Sequence, residues 1–232
     1  MKKIVAMGAA AALAATLAGC ASPSDPAPVE NASSATEQQA DPAPARDNKV
    51  TVTDSGWSVD DQGYVHYGII VKNEGAQSAL FPAIKVTGKD AEGGVISSDE
   101  QTLMEILPGQ ELAWGGQAGN GNAPATVEFE LSVGSGNWTD AEPAEPTLEV
   151  SGLNAQDSGY GTVNFVGEVT NLTDADMDQA AVVVLLRDAA GAIVGGYTGF
   201  ASNVPAGGTT SFDVLGYGVP AYETIEGSAQ AW

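Results

Sequence analysis

The chain has 232 residues, in which 30 acidic side chains stand against 8 basic ones for a formal charge of −22. Nucleic-acid binding draws most of its affinity from Lys and Arg neutralising phosphates, so this balance excludes it as a function class. A single cysteine and a single histidine exclude an intrachain disulfide and a His-rich metal centre, leaving apolar cores and β-ladders to supply stability.

The first three residues, Met1, Lys2 and Lys3, form a short positive region, and Ile4 to Leu17 follow as an apolar run of mostly Ala, Val, Met and Leu. This is the layout of a secretory signal. At about 14 residues the run is shorter than the roughly 20 that a helix needs to cross a hydrocarbon core, so residues 1–19 are set apart from the fold. The run closes on Leu17-Ala18-Gly19-Cys20, which resembles the lipobox of bacterial lipoproteins at all four positions. The resemblance implies a diacylglyceryl group on the Cys20 thiol, cleavage after Gly19, and a mature chain anchored to the membrane through Cys20. Two acyl chains hold stably where one holds marginally, at about 0.8 kcal/mol per buried methylene. A buried thiol does not suit a cysteine between a signal and a polar stretch, and a disulfide has no second cysteine. Cleavage removes Lys2 and Lys3 and no acid, taking the formal charge from −22 to −24. Taken alone, such acidity describes a solvated, self-repelling surface.

Residues 20–48 are mostly Ala, Ser, Pro, Glu, Gln, Asp and Asn, with Val29 as the one large apolar side chain. They cannot bury enough surface to offset their ordering entropy, which predicts a disordered tether with an average reach on the order of 30 Å. Beyond it no stretch sustains apolar spacing of three and four residues, whereas period-two alternation recurs. Val65, Tyr67, Ile69 and Val71 alternate with His66, Gly68, Ile70 and Lys72, and Val127, Phe129, Leu131 and Val133 with Glu128, Glu130 and Ser132. "AVVVLLRD" from Ala181 is apolar at every position up to Arg187, which suits a central strand covered on both faces. "DAEGG" at Asp90 and "DAAG" at Asp188 read as hairpin turns.

A constant offset of 98 pairs Val65 with Val163, Tyr67 with Phe165, Asn73 with Asn171, Val86 with Val184, Asp90 with Asp188, Trp114 with Phe212 and Val127 with Ile225. It predicts a tandem repeat of two all-β sandwiches, 49–136 and 147–232, joined by a hinge at 137–146 within "GSGNWTDAEPAEP". Each copy is close to the size of a seven-stranded immunoglobulin-like sandwich.

"EVTNLTDADMDQAAVVVLLRDAAGAIVG" from Glu168 resembles the FxLYD family of bacterial lipoproteins, whose modules are immunoglobulin-like sandwiches often found near a lipidated N-terminus. Val169, Asn171, Asp188, Gly191, Pro205 and Gly207 fit its pattern, as do Val71, Asn73, Asp90, Gly93, Pro108 and Gly109. The defining aromatic-x-Leu-Tyr-Asp becomes Val184-Leu185-Leu186-Arg187-Asp188 here and Val86-Thr87-Gly88-Lys89-Asp90 in the first copy. The resemblance implies the fold and the anchor and little about activity.

Candidate sites are few. Asp174, Asp176 and Asp178 alternate as at the start of a calcium loop, but an EF-hand loop counted from Asp174 needs Gly and Glu where Gln179 and Leu185 stand. A metal site of another kind, with Glu100 or Asp157, stands as an alternative to a solvated acidic loop. His66 is placed away from the Tyr67 face, in a surface or strand-packing role, with no Ser–His pair to assemble around it. The neighbours Asp60 and Asp61 read as solvated loop carboxylates. Trp57, Trp114, Trp138 and Trp232 could form a sugar-stacking platform or, more simply, core and interdomain packing. Asn171 is expected to bond the turn after its strand. No cofactor is implied. The expected function is a non-enzymatic binding or structural module of the bacterial envelope, facing a protein or glycan partner; the second reading is an accessory or solute-binding subunit of an exported or transport assembly. A hydrolase would need a cleft with convergent carboxylates.

Overall fold

The structure is a computed structural model that describes residues 48–159 and 161–232. Leu17, Ala18, Gly19 and Cys20, together with the tether as far as residue 47, lie outside the described residues. What is described belongs to one compact unit, Pro44–Trp232, and is all-β, with antiparallel strands and no helix.

In the first half the strands are β1 (Val50–Val59), β2 (Val65–Asn73), β3 (Ser78–Ala79), β4 (Ala83–Lys89), β5 (Val95–Thr102), β6 (Glu111–Ala118) and β7 (Thr126–Ser132). Six of them make two sheets, β1-β2-β6 and β5-β4-β7, and β3 stands outside both. After β8 (Trp138–Thr139) the second half runs β9 (Leu148–Gly159), β10 (Thr162–Asn171), β11 (Met177–Arg187), β12 (Ile193–Val204), β13 (Thr209–Tyr217) and β14 (Thr224–Ala231). It repeats the same order, as β9-β10-β13 and β12-β11-β14. The offset of 98 extends from residue identity to pairing. Val50 faces Asn73 as Leu148 faces Asn171, Tyr67 faces Gly116 as Phe165 faces Val214, and Val86 faces Phe129 as Val184 faces Gly227.

The pleat explains the cores. Val65, Tyr67, Ile69 and Val71 point inward from β2 and meet Ile84 and Val86 of β4, while Phe165 and Val169 meet Val182, Val184 and Leu186 in the second half. Each sandwich is pinned by a buried asparagine. Asn73 donates through Nδ2 to the carbonyls of Gln77 and Ile106 at 2.8 and 2.7 Å. Asn171 donates to Ala175 and Val204 at 2.8 and 3.2 Å, and its Oδ1 accepts from Thr173 N. This is the turn-bonding role expected of Asn171. Asp90 and Asp188 close their hairpins alike, each Oδ1 accepting two backbone N–H groups.

The hinge differs from expectation. Residues 137–146 are not a free connector, because β8 pairs with β3, Gln77 Nε2 donates to Asp140 Oδ1 at 2.7 Å, and Ala144 N donates to Pro108 O at 3.1 Å. Trp138 packs against the first core. The period-two signal needs four or more residues to be heard, and a two-residue strand falls below it.

The halves meet sheet against sheet. β12 packs across β1, β2 and β6, so four three-stranded layers stack in the order β5-β4-β7, β1-β2-β6, β12-β11-β14, β13-β10-β9. Val183, Leu185 and Ile193 form a third apolar cluster with Ile70 and Ala113, which is why β11 is apolar on both faces. Backbones approach closely here: a Cβ at Gly115 would lie 2.3 Å from Gly196 C and from Tyr197 N. Thr198 ties the seam by accepting from Gly115 N at 3.2 Å and donating to Gly115 O at 2.8 Å.

Candidate functional site

At one edge of this seam the layers diverge into a cleft of about 590 Å³. Its walls come from the β1–β2 hairpin (Asp60, Asp61, Gln62), from Gln117 on β6, and from Thr162, Tyr217, Gly218 and Pro220 of the second half. A smaller hollow of about 180 Å³ adjoins it and shares Gln117 and Tyr217.

Asp60, which lines the cleft, is paired with His66, which lines the adjoining hollow. Asp60 starts the hairpin, and its Oδ1 accepts from Gln62 N and Tyr64 N at 2.9 Å each. That leaves Oδ2 aimed at His66 Nε2, 2.9 Å away. The two side chains are only 10 % and 3 % exposed, so neither Asp60 as a solvated loop carboxylate nor His66 as a surface residue survives. His66 does point away from its own core, as alternation requires, but the second half covers it. Tyr197 lies against the imidazole at a centroid distance of 5.7 Å and donates its hydroxyl to Tyr217 O at 3.0 Å. Gly218, at φ 55°, brings its backbone so close that a Cβ would sit 2.6 Å from Asp60 Cβ. Burial pushes the Asp60 carboxyl up, but the hydrogen bonds from His66, Tyr64 and Gln62 outweigh it and hold the group below its ordinary value. Burial, with the Asp60 charge nearby, pushes the Tyr197 hydroxyl well above the usual phenol range.

Tyr197 and Gly218 thus seat this first-half pair at the contact between the halves. Ser58 pairs with His66 across β1 and β2, and its Oγ is buried without a hydrogen-bond partner among the described residues. A second contact lies along the seam. Arg187 reaches out of β11 to Asp54 Oδ2 of the first half at 2.7 Å, and its Nε lies 2.9 Å from Glu226 Oε2.

The aspartates proposed as weak metal ligands do not converge: among the described residues no group of three His, Cys, Asp or Glu side chains could hold an ion. Asp174 and Asp176 lie before β11 and Asp178 within it; all three are exposed, and Asp176 Oδ1 accepts from Ala206 N at 2.9 Å. The tryptophans form no platform. Trp57 and Trp138 pack against the first core and Trp114 lies within it. Trp232 stacks on Trp114 at 6.5 Å and meets Phe200 edge-on at 5.0 Å.

No family model and no curated protein matches the chain. The cleft is therefore read from its own chemistry. Gln117 and Tyr217 escaped the sequence reading because they sit 100 residues apart and meet only when the halves dock; the one available signal was Tyr217 at an outward position of an alternating strand. Among the described residues no helix is long and apolar enough to cross a membrane.

Proposed function

We propose that the protein is a lipoprotein of the bacterial envelope that works outside the cytoplasm as a non-enzymatic binding module, related in its β-sandwich architecture to the FxLYD lipoproteins. The observation that carries this is Leu17-Ala18-Gly19-Cys20 behind a charged and apolar leader, joined by a polar stretch to one compact β unit. Cys20 bears the lipid, and the β unit presents its surfaces to a partner. The Arg187–Asp54 ion pair and the cover of Tyr197 and Gly218 over Asp60 and His66 hold the halves in one surface, which supports a binding role.

The test is expression of the full chain and its Cys20→Ser variant in a bacterial host, followed by detergent-phase partitioning and mass spectrometry of the N-terminus. The wild-type chain should enter the detergent phase carrying a diacylglyceryl-cysteine, and the variant should stay aqueous and uncleaved at Gly19. A variant that is still cleaved there and still partitions with lipid would overturn the reading. The cleft favours a second reading, an accessory or solute-binding subunit of a transport assembly, because small-ligand sites concentrate at domain junctions. Co-purification with membrane permease components would select it.

A further inference from the structure

We propose that the cleft and the outer face beside it bind an uncharged oligosaccharide, a specificity that rests on the binding-module reading above. The outer face of β9-β10-β13 is the last layer of the stack and is covered by nothing in the described chain. Register sets its side chains in rows. Gln156, Asn164 and Leu215 lie abreast, and Thr162 and Tyr217 lie abreast in the next row towards the cleft. Tyr217 is 58 % exposed and Leu215 42 % exposed, and Tyr217 also lines the cleft.

The chemistry of this surface is selective. Amides both donate and accept, as sugar hydroxyls do, and Gln117, Gln156 and Asn164 have no side-chain hydrogen bond to another described residue. A ring such as Tyr217 offers a flat apolar face beside a polar tip, which suits the C–H face of a pyranose. Asp61 adds an exposed carboxylate acceptor at the rim. No Lys or Arg lines the cleft, and the chain carries −22 overall, so uronate, sialyl or phosphorylated sugars are repelled. A volume of about 590 Å³ falls within the usual span of small-ligand sites, roughly 300–1,000 Å³.

The experiment is calorimetric titration of the detergent-purified full chain with trimers of glucose, galactose, mannose and N-acetylglucosamine, and with trigalacturonate as the anionic counterpart. At least one neutral trimer should bind, at least tenfold more tightly than trigalacturonate. Tyr217→Ala and Gln117→Ala should each weaken it about tenfold or more, with circular dichroism unchanged because both side chains are exposed. Trp232→Ala, at a site that does not line the cleft, should leave it unaltered. The proposal falls if no neutral trimer binds, if trigalacturonate binds as well, or if Tyr217→Ala has no effect. A Cys20-lipidated protein that binds none of the sugars would remove this inference alone; sugar binding by a chain that is never lipidated would remove the envelope anchor and leave the site.

Discussion

Replacing Gly115 by alanine tests the close seam between the halves. The new Cβ would lie 2.3 Å from Gly196 C and Tyr197 N, both main-chain atoms that cannot rotate aside. Ordinary carbon contacts begin at about 3.5 Å, so the layers must separate by about 1 Å. That movement stretches both Thr198 hydrogen bonds to Gly115, worth about 1 kcal/mol each, and overpacking adds about 1–3 kcal/mol. The expected loss is about 3–5 kcal/mol, a large part of the roughly 5–15 kcal/mol that holds a domain folded. Urea unfolding of residues 44–232, followed by tryptophan fluorescence, reads it directly. Gly136→Ala is the control, because a Cβ there meets nothing within 4 Å and its φ is not positive. If Gly115→Ala unfolded within about 0.5 kcal/mol of this control, the range of ordinary surface substitutions, the backbone-to-backbone seam would be refuted.

Because the Asp60 carboxyl is held below its ordinary value of 3.8, its contribution is present above about pH 4 and is lost as pH falls through the lowered value; acid titration of Asp60→Asn should show a flatter limb there than wild type. Tyr67, pushed up to about 12 mainly by burial and also by Asp99, is favoured in its neutral form, so stability should fall as pH rises from about 10 towards 12, with less loss in Tyr67→Phe. Arg187→Met should cost about 1 kcal/mol, a value discounted because Asp54 and Glu226 are 41 % and 52 % exposed, and the difference should shrink in 1 M salt. Phe81 holds φ at 49° while its side chain is 64 % exposed, and left-handed backbone costs a non-glycine residue roughly 1–2 kcal/mol. Phe81→Gly should therefore raise the melting temperature; a fall would mean that the ring carries contacts of its own.

The strands were legible because alternation is a local signal. Val65 to Val71 and Val127 to Val133 announce their inward faces without reference to anything distant, and the spacing between Asn73 and Asn171 announces a second copy. Asp90 and Asp188 were readable as turns because an Asp two and four residues before free N–H groups has one productive conformation. What stayed hidden depends on docking. His66 and Asp60 look like surface residues in isolation and become buried only when Tyr197 and Gly218 close over them. Gly68 and Ile70 read only as the alternate set of their strand, whereas with Ala113 and Gly115 they form a seam. Arg187 gave no sign that Asp54, more than 130 residues earlier, was its partner.

The stack is joined head to tail, since the outer face of β1-β2-β6 meets the outer face of β12-β11-β14 and not its own equivalent. Such a contact does not close on itself and could in principle be extended by further copies at either end. The offset of 98 shows what prevents it. At the positions equivalent to Ile70 and Gly115 the far end carries Glu168 and Asp213, and at those equivalent to Val183 and Leu185 the near end carries Lys85 and Thr87. Each half thus wears an adhesive surface on one side and a charged or polar cap on the other, as the terminal units of repeat arrays do. Four side chains, Lys85, Thr87, Glu168 and Asp213, thus mark the outer layers of the stack as faces that do not match its apolar seam.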